Sequence, residues 1–156
     1  MTIIAWDGKV IASDKQRTNG NIKVKAQKLF KIGDWVVGCA GSVKDTMRFR
    51  EWFTTKKKED YPFTSDGDSL ATYEEFEILC INTKTKEVQL WIGESSLPLT
   101  ISHPFYAVGS GEEFAMALLH VGKTAIEAVK ITSELCPSCG LGIDHIIIEN
   151  VKVKKS

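Results

Sequence analysis

The sequence predicts an α+β fold, a four-layer α-β-β-α sandwich with mostly antiparallel sheets. Three observations predict it. Short β-rich runs joined by tight turns dominate the chain, and hairpins make antiparallel sheets. Several of these runs are apolar throughout, so their sheets need cover. Helical stretches fall in two blocks, giving the order strands, helix, strands, two helices, strands. Two sheets packed face to face with helices outside meet all three demands.

The elements follow in order. Residues 2–6 (Thr-Ile-Ile-Ala-Trp) and 9–13 (Lys-Val-Ile-Ala-Ser) are β-rich, and Asp7-Gly8 between them suits a two-residue type I′ turn. Residues 22–25 and 28–32 are short alternating segments. Residues 35–40 (Trp-Val-Val-Gly-Cys-Ala) read as a strand buried on both faces. Ser42 is the expected N-cap of a helix, with Asp45 three residues on. Met47, Phe49, Trp52 and Phe53 recur at helical spacing, and Lys56, Lys57 and Lys58 suit the negative end of the helix dipole. Residues 59–73 read as a loop. Residues 75–82 and 87–92 form a hairpin around Asn82-Thr83-Lys84, and 105–108 is another strand. Gly109-Ser110-Gly111 opens a helix through about His120, and Gly122 breaks it. A further helix runs from about Thr124 to Leu135, with Ile126, Val129, Ile131 and Leu135 as its apolar positions. A loop rich in Pro and Gly follows, and 143–148 and 151–153 close the fold as strands.

The 156 residues fit one domain, 1–156. A chain of this size buries roughly 70% of its unfolded surface and needs no disulfide or metal staple. The formal net charge of +0 argues against a polybasic nucleic-acid binder. The charge is polarised, however. Residues 1–58 hold 13 basic and 5 acidic side chains, and residues 59–156 hold 7 and 15. One domain with oppositely charged faces suits self-association. No apolar run reaches membrane-span length, and Met1 leads straight into strand-like sequence, so neither membrane span nor signal peptide is expected. Four cysteines, of which only Cys136 and Cys139 are close in sequence, do not make a disulfide framework and point to a reducing cytoplasm. Cys39 and Cys80 lie in apolar runs and read as core residues.

Thr2 is the first candidate for chemistry. Removal of Met1 would leave its α-amine beside its own hydroxyl, a base and a nucleophile in one residue; such an amine titrates near pH ~7.7–8.0. A strand-starting threonine is the commoner reading of Met-Thr. Asp14 ends the second strand, which pairing brings back to the chain start, where a carboxylate could hold a lysine or an ammonium. Lys28, among apolar neighbours, is either desolvated with a lowered pKa or a snorkelling surface side chain. Gly38-Cys39-Ala40-Gly41-Ser42 joins a strand to a helix, where backbone N–H groups could bind an oxyanion. Gly109-Ser110-Gly111 has the same character but lacks the third glycine of a dinucleotide fingerprint. His103, His120 and His145 show neither ligand spacing nor a triad arrangement.

Taken in order, these pieces resemble the proteasome β-type family of N-terminal nucleophile hydrolases, particularly its small HslV-like bacterial and phage members. The resemblance is carried by Thr2-Ile-Ile-Ala5, Ile11-Ala-Ser-Asp14, Lys28-Leu-Phe-Lys-Ile32, Gly38-Cys-Ala-Gly-Ser-Val-Lys-Asp45, Ala107-Val-Gly-Ser-Gly-Glu-Glu-Phe-Ala115, Lys123-Thr-Ala-Ile-Glu-Ala-Val129 and the glycine loop before Ile143-Asp-His145. It covers nearly the whole chain and implies the same sandwich. It implies that Thr2 is the nucleophile, that Asp14 and Lys28 tune it, that the Gly41 amide contacts the oxyanion, and that Ser110 helps hold the α-amine and its water. It implies a threonine-type peptidase or amidohydrolase acting on peptides or unfolded protein, in a homo-oligomeric ring, with no cofactor or metal and an ATPase partner undetermined.

The chain departs from that pattern in three places. The first hairpin is about four residues shorter than in HslV, and the stretch after the Trp52 helix is too short for a full second helix. Cys136 and Cys139, with Ser138 between them, stand where the family often has an aspartate and a serine. The Cys-Pro-Ser-Cys motif reads as a structural loop, with metal binding or redox chemistry as its alternatives. Two rival functions remain at this stage, a non-catalytic ring or scaffold protein and a small-molecule amidase.

Overall fold

The computed structural model describes residues 2–63, 76–93 and 95–148. Strands β1 (Ile3–Trp6) and β2 (Val10–Asp14) form the first hairpin, and β3 (Gln16–Asn19) and β4 (Ile22–Lys25) a small separate one. Next come β5 (Leu29–Ile32), β6 (Trp35–Gly41) and helix α1 (Val43–Thr55), then a turn of 3-10 helix over Lys58–Asp60. Strands β7 (Phe76–Asn82), β8 (Val88–Ile92), β9 (Leu99–Thr100) and β10 (Tyr106–Gly109) precede helices α2 (Glu112–His120) and α3 (Ala125–Leu135) and strand β11 (Ile143–Ile147). One sheet has the order β10-β1-β2-β11 and the other β5-β6-β7-β8-β9, with antiparallel pairing throughout.

Side-chain alternation builds the layers. From β1, Ile4 and Trp6 join Ile11, Val36, Leu79 and Ile81 in a core between the two sheets. Ile3 and Ala5 point the other way and pack with Ala115, Leu119, Ala128 and Val129 of α2 and α3. On the far side, Phe49, Trp52 and Phe53 of α1 cover Val37, Ile78 and Trp91. The order of layers is therefore α1, second sheet, first sheet, α2 with α3. Each large apolar side chain buried this way stabilises the fold by about 1.5–3 kcal/mol.

Both long-helix starts follow the sequence signals. The Ser42 side chain accepts the Asp45 amide, and Thr124 with Glu127 completes a reciprocal capping box. Other expectations change. Met47 and Leu135 are exposed rather than core-facing. α3 instead packs through Ala125, Ala128, Val129 and Thr132, mostly small residues that let it lie close to the sheet. Lys56 caps α1 in the left-handed conformation and sets its ammonium over the rings of Trp35 and Phe53, an attraction to π-faces as well as to the helix dipole. The polar strand β3 and the two-residue β9 were not expected from the sequence. The loop expected over 59–73 is described only to residue 63, and residue 75 and the strand expected at 151–153 lie outside the described residues. No helix among the described residues is long and apolar enough to cross a membrane.

The first turn sits one residue later than expected. The Asp7 amide bonds Val10 O at 3.2 Å, which makes Gly8 and Lys9 the central pair, with Gly8 at φ 99°. Asp7 keeps a different task. Its Oδ1 accepts the amides of Lys9 and Val10, and its Oδ2 accepts the amide of Ala125 at the start of α3, at 2.8 Å. One carboxylate thus closes the hairpin and ties it to a helix N-terminus, where negative charge is favoured. Asp7→Ala should lower stability by about 1–3 kcal/mol, read as a shift in the urea midpoint with unchanged m-value. Asp7→Asn should recover part of the loss.

Candidate active site

Asp14 ends β2 beside the start of β1 and has no solvent exposure. Its carboxylate accepts four hydrogen bonds. Oδ1 takes the Ile3 amide at 3.1 Å and Lys28 Nζ at 2.8 Å; Oδ2 takes the amides of Gln16 at 3.2 Å and Gly140 at 3.1 Å. A carboxylate has about four acceptor sites, so this one is saturated.

Lys28 is buried, with its side chain 8% exposed. It arrives from the opposite sheet, immediately before β5, rather than from a strand beside β2. The Lys28–Asp14 pair therefore bridges the two sheets. One oxygen, Asp14 Oδ1, joins the lysine ammonium to the amide of Ile3, the residue next to Thr2. A buried cation held here lowers the cost of forming an anion nearby.

Thr2 is buried at 7% exposure and lies on the wall of a cavity of about 1120 Å³ that opens between the sheets. Gly41, Gly109 and Ser110 share that wall. Gly41 ends β6 beside the Ser42 cap of α1, next to the positive end of that helix. Ser110 Oγ donates to Thr2 O at 3.4 Å. Of the five residues singled out by sequence, Thr2, Gly41 and Ser110 line the cavity, and Asp14 and Lys28 stand behind it as an ion pair.

Two features of the site carried no sequence signal strong enough to find them, and a third, Gly109, was read only as part of a strand-to-helix turn. Gly140 contributes only a backbone amide, within a loop whose glycines suggested nothing beyond a turn. Gly109, at φ 109°, lets β10 pass so close to the chain start that a Cβ there would sit 2.0 Å from Thr2 O. Tyr106, Glu77 and Glu112 also line the cavity; burial pushes the Tyr106 phenol up, and the two carboxylates add to the shift.

The Cys-Pro-Ser-Cys loop packs against the same site. Cys139 is buried with its Sγ 3.9 Å from Ser110 Oγ and 3.5 Å from Cys136 Sγ. Cys39 and Cys80 are buried between β6, β7 and α1, and burial pushes the Cys39 thiol up to about 12, as befits inert core residues. Among the described residues no group of His, Cys, Asp and Glu side chains is placed to hold a metal ion.

No family model matches the chain. Among solved structures, Thiobacillus denitrificans BPH in complex with epoxomicin superposes with a TM-score of 0.73 at 17% identity, over 96% of this chain and 98% of that one. Eukaryotic HslV from Trypanosoma brucei superposes with a TM-score of 0.71 at 21% identity, over 96% and 99%. At such identities these likenesses show the fold, the four-layer sandwich. Sequence relatives carry the comparison further. The ATP-dependent protease subunit HslV of Thermosipho melanesiensis is 28% identical over 151 residues, covering 83% of this chain and 85% of the relative. The subunit of the same name from Thermosipho africanus is 31% identical over 153 residues, with the same coverage. A shared fold, together with that identity over most of both chains, establishes that this chain belongs to the HslV family, the proteasome-like threonine peptidases of the N-terminal nucleophile class.

Proposed function

We propose that Thr2, exposed at the N-terminus by removal of Met1, is the nucleophile of this peptidase. The observation that carries the reading is the place of Thr2 on a cavity wall, one residue from an amide held by the buried Asp14–Lys28 pair. Thr2 Oγ1 attacks the scissile carbonyl and its proton passes to the α-amine, directly or through water. The Lys28 ammonium favours ionisation of the hydroxyl, and Asp14 holds that ammonium in place. The Gly41 N–H stabilises the tetrahedral oxyanion. Ser110, bonded to Thr2 O, positions the amine. Water then releases the acyl-enzyme, and no cofactor enters the chemistry.

The relatives are named as subunits of ATP-dependent proteases. By that likeness this chain works as one subunit of a homo-oligomeric ring in the cytoplasm, cutting peptide or unfolded protein delivered by an ATPase partner. The opposed charges of its two halves support self-association.

The intact mass of purified, active protein should lack Met1. Full retention of Met1 in protein that still cleaves peptide would exclude the α-amine as base. Thr2→Ala should cut kcat by about 10⁴-fold or more while leaving the unfolding midpoint in place, and Thr2→Ser should keep part of the activity. An epoxyketone such as epoxomicin offers two electrophilic carbons, one each for a hydroxyl and an amine. It should label the wild type and not Thr2→Ala. Native-rate turnover by Thr2→Ala would place the nucleophile elsewhere.

Lys28→Met should cut kcat by about 10²–10⁴-fold. It should also cost about 3–5 kcal/mol of stability, because it leaves the Asp14 carboxylate buried without its cation. Steady-state kinetics and urea unfolding on the same preparation separate the two effects. Full kcat in a folded Lys28→Met variant would remove the lysine from the mechanism.

A further inference from the structure

The Cys-Pro-Ser-Cys loop has a geometry that a purely structural loop does not need. Residues 136–139 form a turn closed by the Cys139 amide on Cys136 O at 3.1 Å, with Pro137 at its second position. A turn of this kind holds its end Cα atoms within about 7 Å, and a disulfide spans about 4.4–6.8 Å between Cα atoms. The two sulfurs already stand 3.5 Å apart. Both cysteines are in the thiol form.

The two thiols differ in character. Cys136 is half-buried, and its hydrogen bond with Ser138 Oγ at 3.1 Å holds its thiol below the usual range. Cys139 is buried, and burial above all pushes its thiol up to about 11. An accessible, more acidic thiol beside a buried partner is the arrangement of an attacking and a resolving cysteine.

The loop also touches the site at two points. Cys139 Sγ rests against Ser110 Oγ, which bonds Thr2 O, and the next amide, Gly140 N, bonds Asp14 Oδ2. Closing the sulfurs from 3.5 Å to the bond length of about 2.05 Å must move at least one of them and removes both S–H groups beside Ser110, whose hydroxyl is close to each thiol.

We propose that Cys136 and Cys139 form a reversible thiol–disulfide pair, a redox-modification site at which a low-molecular-weight disulfide oxidises the protein and slows reaction at Thr2 through Ser110. The Cys136 thiolate attacks one sulfur of glutathione disulfide, forming a mixed disulfide and releasing one glutathione thiolate, which takes up a proton. Cys139 then gives up its proton and attacks Cys136 Sγ, and the second glutathione leaves as a thiol. Two electrons pass from the protein to the glutathione disulfide, and one protein S–S bond replaces two S–H bonds. A dithiol reductant reverses the step.

The effect on Thr2 rests on the proposed function; the disulfide itself does not. The experiment equilibrates the whole protein in glutathione buffers of graded poise. Thiols are then alkylated under denaturing conditions for intact and peptide mass. The rate of epoxomicin labelling at Thr2 is measured in parallel. Two thiols, those of Cys136 and Cys139, should escape alkylation in the oxidised sample. Labelling should slow by about three- to tenfold, the size of one lost hydrogen bond, and recover with dithiothreitol. Cys136→Ser keeps Cys139 beside Ser110 but cannot close the bond, so its labelling rate should ignore the buffer. Four alkylated thiols at the most oxidising poise would overturn the pair. A formed disulfide with unchanged labelling, or equal slowing in Cys136→Ser, would overturn its action on Thr2. A reduced protein that epoxomicin never labels counts against the threonine mechanism and the action on Thr2 together, while the thiol count still decides the pair.

Discussion

A carboxylate with no exposure to water holds this structure together. Charge in such a place costs several kcal/mol unless it is paired and fully hydrogen-bonded, and Asp14 is both. Its four donors come from the start of β1, from β3, from the edge of the opposite sheet and from the loop after α3. Two packed sheets have many ways to slide over each other while keeping apolar side chains in contact. An ion pair running from one sheet to the other permits one alignment. The apolar layers supply the bulk of the driving force, and the Asp14–Lys28 pair selects the register in which it is realised.

That alignment separates two kinds of residue around the chain start. Asp14 and Lys28 are not on the cavity wall but in a buried setting, where an ammonium acts over short distances with little screening. Thr2, Gly41 and Ser110 stand at the cavity, and two of their neighbours are glycines. The close passage of β10 past Thr2 is possible only because Gly109 carries no side chain and adopts a positive φ. Small residues recur one layer further out, where Ala125 and Ala128 bring α3 down onto Ala12 and Ala5. Thin side chains on the helix-facing side of the first sheet let α3 lie close to the backbone behind Thr2.

Features encoded within a few residues of each other were legible in the sequence. The Ser42 cap of α1, the apolar runs of β1 and β6 and the hairpin at Asn82 each rest on local chemistry. Thr2, Asp14, Lys28, Gly41 and Ser110 could be picked out because their order and spacing match a family pattern. What was missed has physical reasons. β3 reads Gln-Arg-Thr-Asn, with no apolar face to reveal a strand. The pairing of β1 with β10 joins residues about a hundred positions apart, which no local pattern encodes. Leu135 and Met47 fitted helical stripes, but α3 buries its small side rather than its large one, and α1 turns Phe49, Trp52 and Phe53 inward and leaves Met47 outside. Gly140 acts through an amide, a group that every residue except proline carries.

The spread of Asp14's partners along the chain also sets when the site can exist. Lys28 is 14 residues from Asp14, and Gly140 is 126. Asp14 leaves the ribosome 126 residues before Gly140, the partner furthest from it along the chain. Until then the burial of Asp14 is incompletely compensated, and long-range closure of this kind is the slow part of folding. Thr2 and Asp14 therefore wait for 126 further residues before the carboxylate beside Thr2 has all its partners, and the complete cavity wall is a property of the folded chain.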